Sequence, residues 1–237
     1  MPQKRDPRLF DTPFSAAYWR LAAGELRSVR MLVLAAMLTA LRIAVKSLRI
    51  PVGPDLNITF GFLVNAAGSM IYGPVVAILA SAVSDTLGAV LFPTGTYFFP
   101  FIFEEIAGGL LFALFYYRAR LSAARVLLGR FAVTVVCNLL LNPLFLTWYY
   151  ALILGRSYTF LTWPRLAKNI ALFPIQTVAL VLVFDLLLPV TDRMGLTFSG
   201  GAKLKITKQN AAALIALTLL AAALVVAYYV WVYVPKA

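Results

Sequence analysis

Residues 32–100 read LVLAAMLTALRIAVKSLRIPVGPDLNITFGFLVNAAGSMIYGPVVAILASAVSDTLGAVLFPTGTYFFP, and the alternation of long apolar runs with short breaks inside them decides the fold. A hydrocarbon core about 30 Å thick is crossed by roughly 20 apolar residues of helix. Three such runs lie here, at 29–46, 58–72 and 74–91. Tyr72-Gly73-Pro74 admits either two short spans joined by a tight turn or one kinked helix. Proline is well tolerated in the first turn of a helix, which favours two spans.

The pattern continues at 99–117, 129–151, 166–190 and 210–233, and 62% of the 237 residues are hydrophobic against 13% charged. A soluble domain is nearer half apolar and a quarter charged, so the surplus apolar surface must face lipid. The expected fold is an all-α integral membrane protein: a six-helix bundle over 29–190, a basic linker at 191–209 and a seventh transmembrane helix within 210–237. Residues 1–28 form an interfacial segment, in which Phe14, Tyr18, Trp19 and Leu21 among Arg20, Arg27 and Arg30 suit an amphipathic helix on the membrane surface. It does not read as a signal peptide, because polar-rich sequence precedes the first apolar run.

Basic residues set the expected orientation. With the N-terminus cytoplasmic, fourteen of the 21 Lys and Arg fall on the inner side: Lys4, Arg5, Arg8, Arg20, Arg27, Arg30, Arg118, Arg120, Arg125, Arg130, Arg193, Lys203, Lys205 and Lys208. Seven spans would then leave the C-terminus outside. The net charge of +12 is thus a topological signal rather than a nucleic-acid one.

Polar residues within the spans gather at one depth. Arg42 and Lys46 close the first span, Asn57 and Thr59 open the second, and Asn65 lies further in. Asp85, then Glu104 and Glu105, then Asn142 sit in the outer halves of the next three. Arg165, Lys168 and Asn169 begin the sixth, with Gln176 two turns deeper and Asp185 near the opposite rim. Ionisable groups in a bilayer turn inward and pair or line a wet cavity. Polar groups from several helices at one level therefore point to one outward-facing pocket for a solute. The competing explanation is interhelical packing by Asn and snorkelling by Lys and Arg. Adjacent glutamates project about 100° apart, so one of Glu104 and Glu105 faces the cavity and the other is free to pair with Arg42 or another cation. Tyr97, Phe98, Trp148, Tyr158 and Trp163 are candidate aromatic walls, or members of the interfacial belt.

Other chemistry is excluded. Histidine is absent and Cys137 is the only cysteine, which removes zinc clusters, internal disulfides and His or Cys catalysis. Neither a phosphate loop nor a hydrolase or metalloprotease motif occurs. No cofactor, metal or catalytic residue is expected, and transport would need energy from a partner or a gradient.

Taken with NPLFLTWYYALILGRSYTFLTWPRLAKNIALFPIQT at 142–177, the opening stretch resembles substrate-binding S-components of energy-coupling-factor (ECF) vitamin transporters, folate type. The pieces that carry the resemblance are ITFGFL, YGP, SDTLG, PTGTYF and R-x-x-K-N-x-x-x-x-P-I-Q, across 29–190. The resemblance implies a multi-pass protein of the cell membrane that captures folate or a related vitamin at its outer face and delivers it inward with a membrane scaffold subunit and two cytoplasmic ATPases. Its substrate-binding residues would come from Arg42, Asn57, Asn65, Asp85, Tyr97, Glu104, Glu105, Asn142, Arg165, Lys168 and Asn169. Loops 47–57, 92–98 and 155–164 would cover them. The scaffold would dock on Ala36, Ala40 and Ala44, which recur every four residues as a small-residue stripe.

Two departures bear on the substrate. Asn57 stands where relatives usually carry a basic residue, and FPFIFEE replaces a run of small residues. Folate offers a pterin edge that pairs with a carboxylate and a glutamate tail that takes cations, so Glu104 or Glu105 with Arg165 and Lys168 suit it. The same departures also suit a less acidic or cationic substrate. A membrane scaffold of the cell-envelope assembly type, with no ligand, is the alternative from another class.

Overall fold

The computed structural model describes residues 6–53, 56–93 and 96–198, with 204, 212, 215, 216, 219, 220 and 223 of the C-terminal stretch. Most of the expected linker and seventh span lies outside the described residues. Within them the order is α1 (Ala16–Gly24), a 3-10 turn (Glu25–Arg27), α2 (Val29–Ser47), β1 (Arg49–Gly53), β2 (Leu56–Thr59), α3 (Gly61–Leu91), α4 (Phe101–Tyr116), α5 (Ala123–Val133), a π-helical stretch (Thr134–Leu141), α6 (Asn142–Leu152) and α7 (Trp163–Arg193). The helices at Gly61–Leu91, Ala123–Leu152 and Arg165–Arg193 are each long and apolar enough to cross a membrane.

The first of these is folded back on itself. Gly73 has φ 78° and ψ 178°, outside the helical region and in a half of φ space that only glycine enters freely. Pro74 then starts the next helix with its φ already set. A Cβ on Gly108 would lie 3.8 Å from Nδ2 of Asn65, and one on Gly109 would lie 2.3 Å from Oγ of Ser81. Asn65 and Ser81 stand equally far from Gly73 on its two sides, so both meet the same level of α4 only if α3 is a helical hairpin. The tight turn expected at Tyr72-Gly73-Pro74 is therefore present. Among the described residues six helical segments therefore make up the bundle: α2, the two halves of α3, α4, the rod α5 to α6, and α7.

Lipid tails are as apolar as leucine, so these helices are held by close packing rather than by escape from water. Gly108 and Gly109 let α4 lie directly on α3, against Ala77 and Ser81. Phe112, Tyr116, Leu180 and Phe184 fill the space between α4, α5 and α7, and the Tyr116 hydroxyl donates to the Val126 carbonyl at 2.8 Å. The Tyr117 ring caps the turn, where a Cβ on Gly73 would approach it to 2.9 Å. Gly73→Ala combines a strained φ with that collision and is expected to cost about 2 kcal/mol. Gly88→Ala, with open space around its added Cβ, should be close to neutral, and thermal unfolding of both variants in detergent checks the contrast.

Ser15, Ser28 and Ser122 cap α1, α2 and α5 by accepting from the backbone N–H three residues on. The segment ending in the 3-10 turn meets α2 at 82°, so α1 runs nearly perpendicular to α2. It is tied down by buried polar contacts. The Tyr117 hydroxyl donates to Glu25 Oε1 at 2.8 Å, Arg118 lies 3.4 Å from the same oxygen, and Phe10 N–H bonds the Arg118 carbonyl at 2.8 Å.

Two features depart from the sequence reading. Residues 47–57, expected as a plain loop, contain β1, which pairs antiparallel with β2 in a two-stranded ribbon running from Arg49 opposite Thr59. In sequence, β-branched Ile50, Val52 and Ile58 lie on either side of Gly53-Pro54-Asp55, the composition of a hairpin. The rest of the described fold is helical. The fifth pass begins at Ala123 rather than near 129, which carries Arg130 into the bundle instead of onto its rim.

Candidate functional site

At the end of the bundle where α2 and α6 finish and α4 and α7 begin, the polar residues assemble into two arrays on either side of α4. On one side Glu105 is ion-paired with Arg42 and lies 2.5 Å from Nζ of Lys46. Lys46 also lies 3.7 Å from Asp85, and the Tyr97 hydroxyl donates to Asp85 at 3.3 Å. Arg42 donates to Ser81 Oγ at 3.1 Å. Arg42 is only 6% exposed, so its charge depends on these partners. Periodicity explains the grouping: Arg42 and Lys46 are one turn apart on α2, as Ser81 and Asp85 are on α3.

On the other side Glu104 accepts from Nδ2 of Asn142 at 2.9 Å. The Asn142 side-chain oxygen Oδ1 accepts from Arg165 at 2.5 Å, and Arg165 donates to the Tyr158 hydroxyl at 2.6 Å. Asn138 donates to Asn169 at 2.9 Å, and Asn169 donates to the Arg165 carbonyl at 2.9 Å. The array is brought into line by the π-helical stretch. Pro143 has no N–H to give and crowds the carbonyl four residues back, and the wide turns directly before it relieve that conflict. They turn Asn138 and Asn142 toward α7 and α4 respectively. The two glutamates thus divide as their 100° offset requires, Glu105 toward the cations of α2 and Glu104 toward Arg165.

Of the other sequence candidates, Asn65 is buried beside Gly108, Lys168 is half-buried on α7, and the side chain of Asn57 lies outside the described residues. Phe98 packs between Phe101 and Tyr149, and Tyr158 lies 4.9 Å from Tyr150 and under the Arg165 guanidinium. Trp148 and Trp163 are exposed, as belt residues are. Ala36, Ala40 and Ala44 are all exposed on α2, so no helix of the described bundle covers the stripe.

Two participants had no distinct sequence signal. Ser81 bonds Arg42 but reads as one more small residue. Arg130, counted among the basic residues of the inner rim, is 4% exposed, paired with Oε1 of Gln176 and 5.0 Å from the Phe62 ring. An arginine at such depth costs on the order of 3 kcal/mol to insert, and residues of that kind are retained for use.

Residues 26–190 match the family described as "ECF-type riboflavin transporter, S component". The chain is 34% identical to the folate transporter FolT of Clostridium novyi over 127 residues, covering 54% of this chain and 72% of that protein. It is 31% identical to FolT of Leuconostoc mesenteroides over 150 residues, or 62% of this chain and 80% of the relative. A solved structure described as FolT bound with folic acid superposes with a TM-score of 0.57 at 31% identity, covering 64% of this chain and 89% of that one.

Proposed function

The chain belongs to the S-component family of ECF-type transporters, and from its likeness to folate transporters of that kind we propose that it captures folate for import. It is a multi-pass transport subunit and not an enzyme; the ligand-free scaffold alternative is not favoured. The family description mentions riboflavin, whereas the two relatives and the solved structure are folate proteins. One observation favours folate: Arg165, held by Asn142 and Tyr158 and followed one turn later by Lys168, forms a cationic mouth beside α6. Riboflavin carries no carboxylate, while the glutamate tail of folate carries two. Glu105 is engaged with Arg42 and Lys46, which leaves Glu104 as the carboxylate for the pterin amino and N–H donors.

In this reading the site end faces outward and the N-terminus is cytoplasmic, in line with the distribution of Lys and Arg. A membrane scaffold docks on the stripe of α2, and two cytoplasmic ATPases drive delivery. Purified protein should bind folate one to one by titration calorimetry. Arg165→Ala combined with Lys168→Ala should weaken it about 100-fold, since truncating one side of a desolvated charge pair costs 2 kcal/mol or more. Binding of riboflavin in preference to folate would overturn the substrate assignment. Unchanged folate affinity in the double variant would remove both cations from the site.

A further inference from the structure

The array around Arg165 has a floor that pairing with the rest of the protein leaves incomplete. Gln176 lies seven residues beyond Asn169, two turns deeper on nearly the same face of α7. Arg130 stands at a similar distance below Cys137 on the fifth pass, and Cys137 contacts the Glu104 carbonyl through its Sγ at 3.7 Å. Arg130 thus lies beneath the residues that hold Glu104, and its guanidinium reaches upward over Phe62. Phe62 follows Gly61, whose added Cβ would be 3.6 Å from Lys46, so this ring belongs to the site end of α3.

Three facts distinguish Arg130 from a packed structural arginine. No ion pair among the described residues includes it. Its protein hydrogen-bond partner is a neutral carboxamide. Its Nε, fully buried, has no acceptor. One turn along α3 from Phe62, Oδ1 of Asn65 is likewise buried with no donor, in a residue 5% exposed. A buried donor without an acceptor, over Phe62, and a buried acceptor without a donor, one turn from Phe62 on α3, are each expensive unless a ligand completes them.

We propose that Arg130 and Asn65 read the buried end of the substrate heterocycle, with Arg130 donating to the ring carbonyl and Asn65 accepting from the neighbouring amino or ring N–H. This rests on the folate reading above, in which Glu104 takes the remaining donors of the pterin and Arg165 and Lys168 hold its tail. Arg130 then selects a 4-oxo ring, because a 4-amino ring presents a donor to a donor. Sites built to hydrogen-bond one group reject the analogue that leaves them unpaired.

The test compares folate with its 4-amino-4-deoxy analogue on the full-length protein in detergent. The wild type should prefer folate by at least about tenfold, the value of one hydrogen bond to a charged group. Arg130→Met should lower folate affinity by a similar factor and bring the two ligands within about threefold of one another. Arg130→Lys retains the charge and can stay with Gln176, but it lacks the second nitrogen and should give the same levelling; it serves where the methionine variant does not fold. A ratio that survives substitution, an equal loss of both ligands, or a wild type indifferent to the 4-substituent each overturns the role of Arg130. A wild-type protein that binds neither ligand overturns the folate reading itself, which separates the two failures.

Discussion

Glu105→Ala is expected to lower stability by about 3–5 kcal/mol, enough to abolish recovery of a monodisperse protein from detergent. Glu105 pairs with both Arg42 and Lys46. Arg42 lies almost fully inside the bundle, with Ser81 as its other hydrogen-bond partner. Removing the carboxylate leaves a guanidinium in a low-dielectric interior beside a second cation; Lys46 is partly exposed and keeps Asp85 nearby, but Arg42 cannot reach water without separating α2 from α3. Replacing the pair together, as Arg42→Leu with Glu105→Leu, removes both charges and should recover much of the loss, as exchange of a buried ion pair for apolar side chains generally does. Thermal unfolding of the single and double variants measures both effects. A single variant as stable as wild type would mean that Arg42 is not dependent on Glu105.

The second large effect is expected on uptake and not on binding. Ala40→Leu adds a branched side chain to the middle of the α2 stripe, where Ala36, Ala40 and Ala44 are exposed and flanked by Val33, Met37 and Leu41, all exposed as well. Small residues at four-residue spacing let a second helix approach to backbone contact. A leucine there holds the partner off by the width of its side chain, while Arg42 and Lys46, on the other faces of α2, keep their partners. Folate affinity of the purified variant should match wild type, and uptake in cells carrying the scaffold and ATPases should fall to background. Normal uptake would exclude the stripe as the docking face; lost binding would place it inside the site.

Much of the candidate site is legible as a level and not as a set of contacts. Helical rise alone puts Arg42, Asp85, Glu104, Glu105, Asn142 and Arg165 at one depth, and the 100° step between neighbours separates Glu104 from Glu105 before any coordinates are known. The partners of each were not legible. Ser81 becomes a hydrogen-bond partner of Arg42 through the packing of α2 on α3, where its Oγ also lies against Gly109 of α4. Arg130 reads as a rim residue because the apolar run begins near 129, whereas its helix starts six residues earlier at Ala123, and neither its burial nor the incomplete hydrogen bonding at Nε is visible in the sequence.

By itself the sequence marked out the first six passes, favoured a reversal at Gly73-Pro74, and located the small-residue stripe of α2 and the end of the bundle where charge collects. These follow from quantities local to one segment: apolar run length, a fixed rise per residue, a backbone angle that glycine alone enters freely. The tertiary structure decided the rest. It split the charges into a self-satisfied array around Glu105 and a second one around Arg165, and set beneath the latter a buried cation that lacks a counter-charge among the described residues. The physical reason is that pairing depends on how each helix is rotated about its axis against neighbours distant in sequence, 63 residues for Arg42 and Glu105, and no periodicity within a helix encodes that rotation.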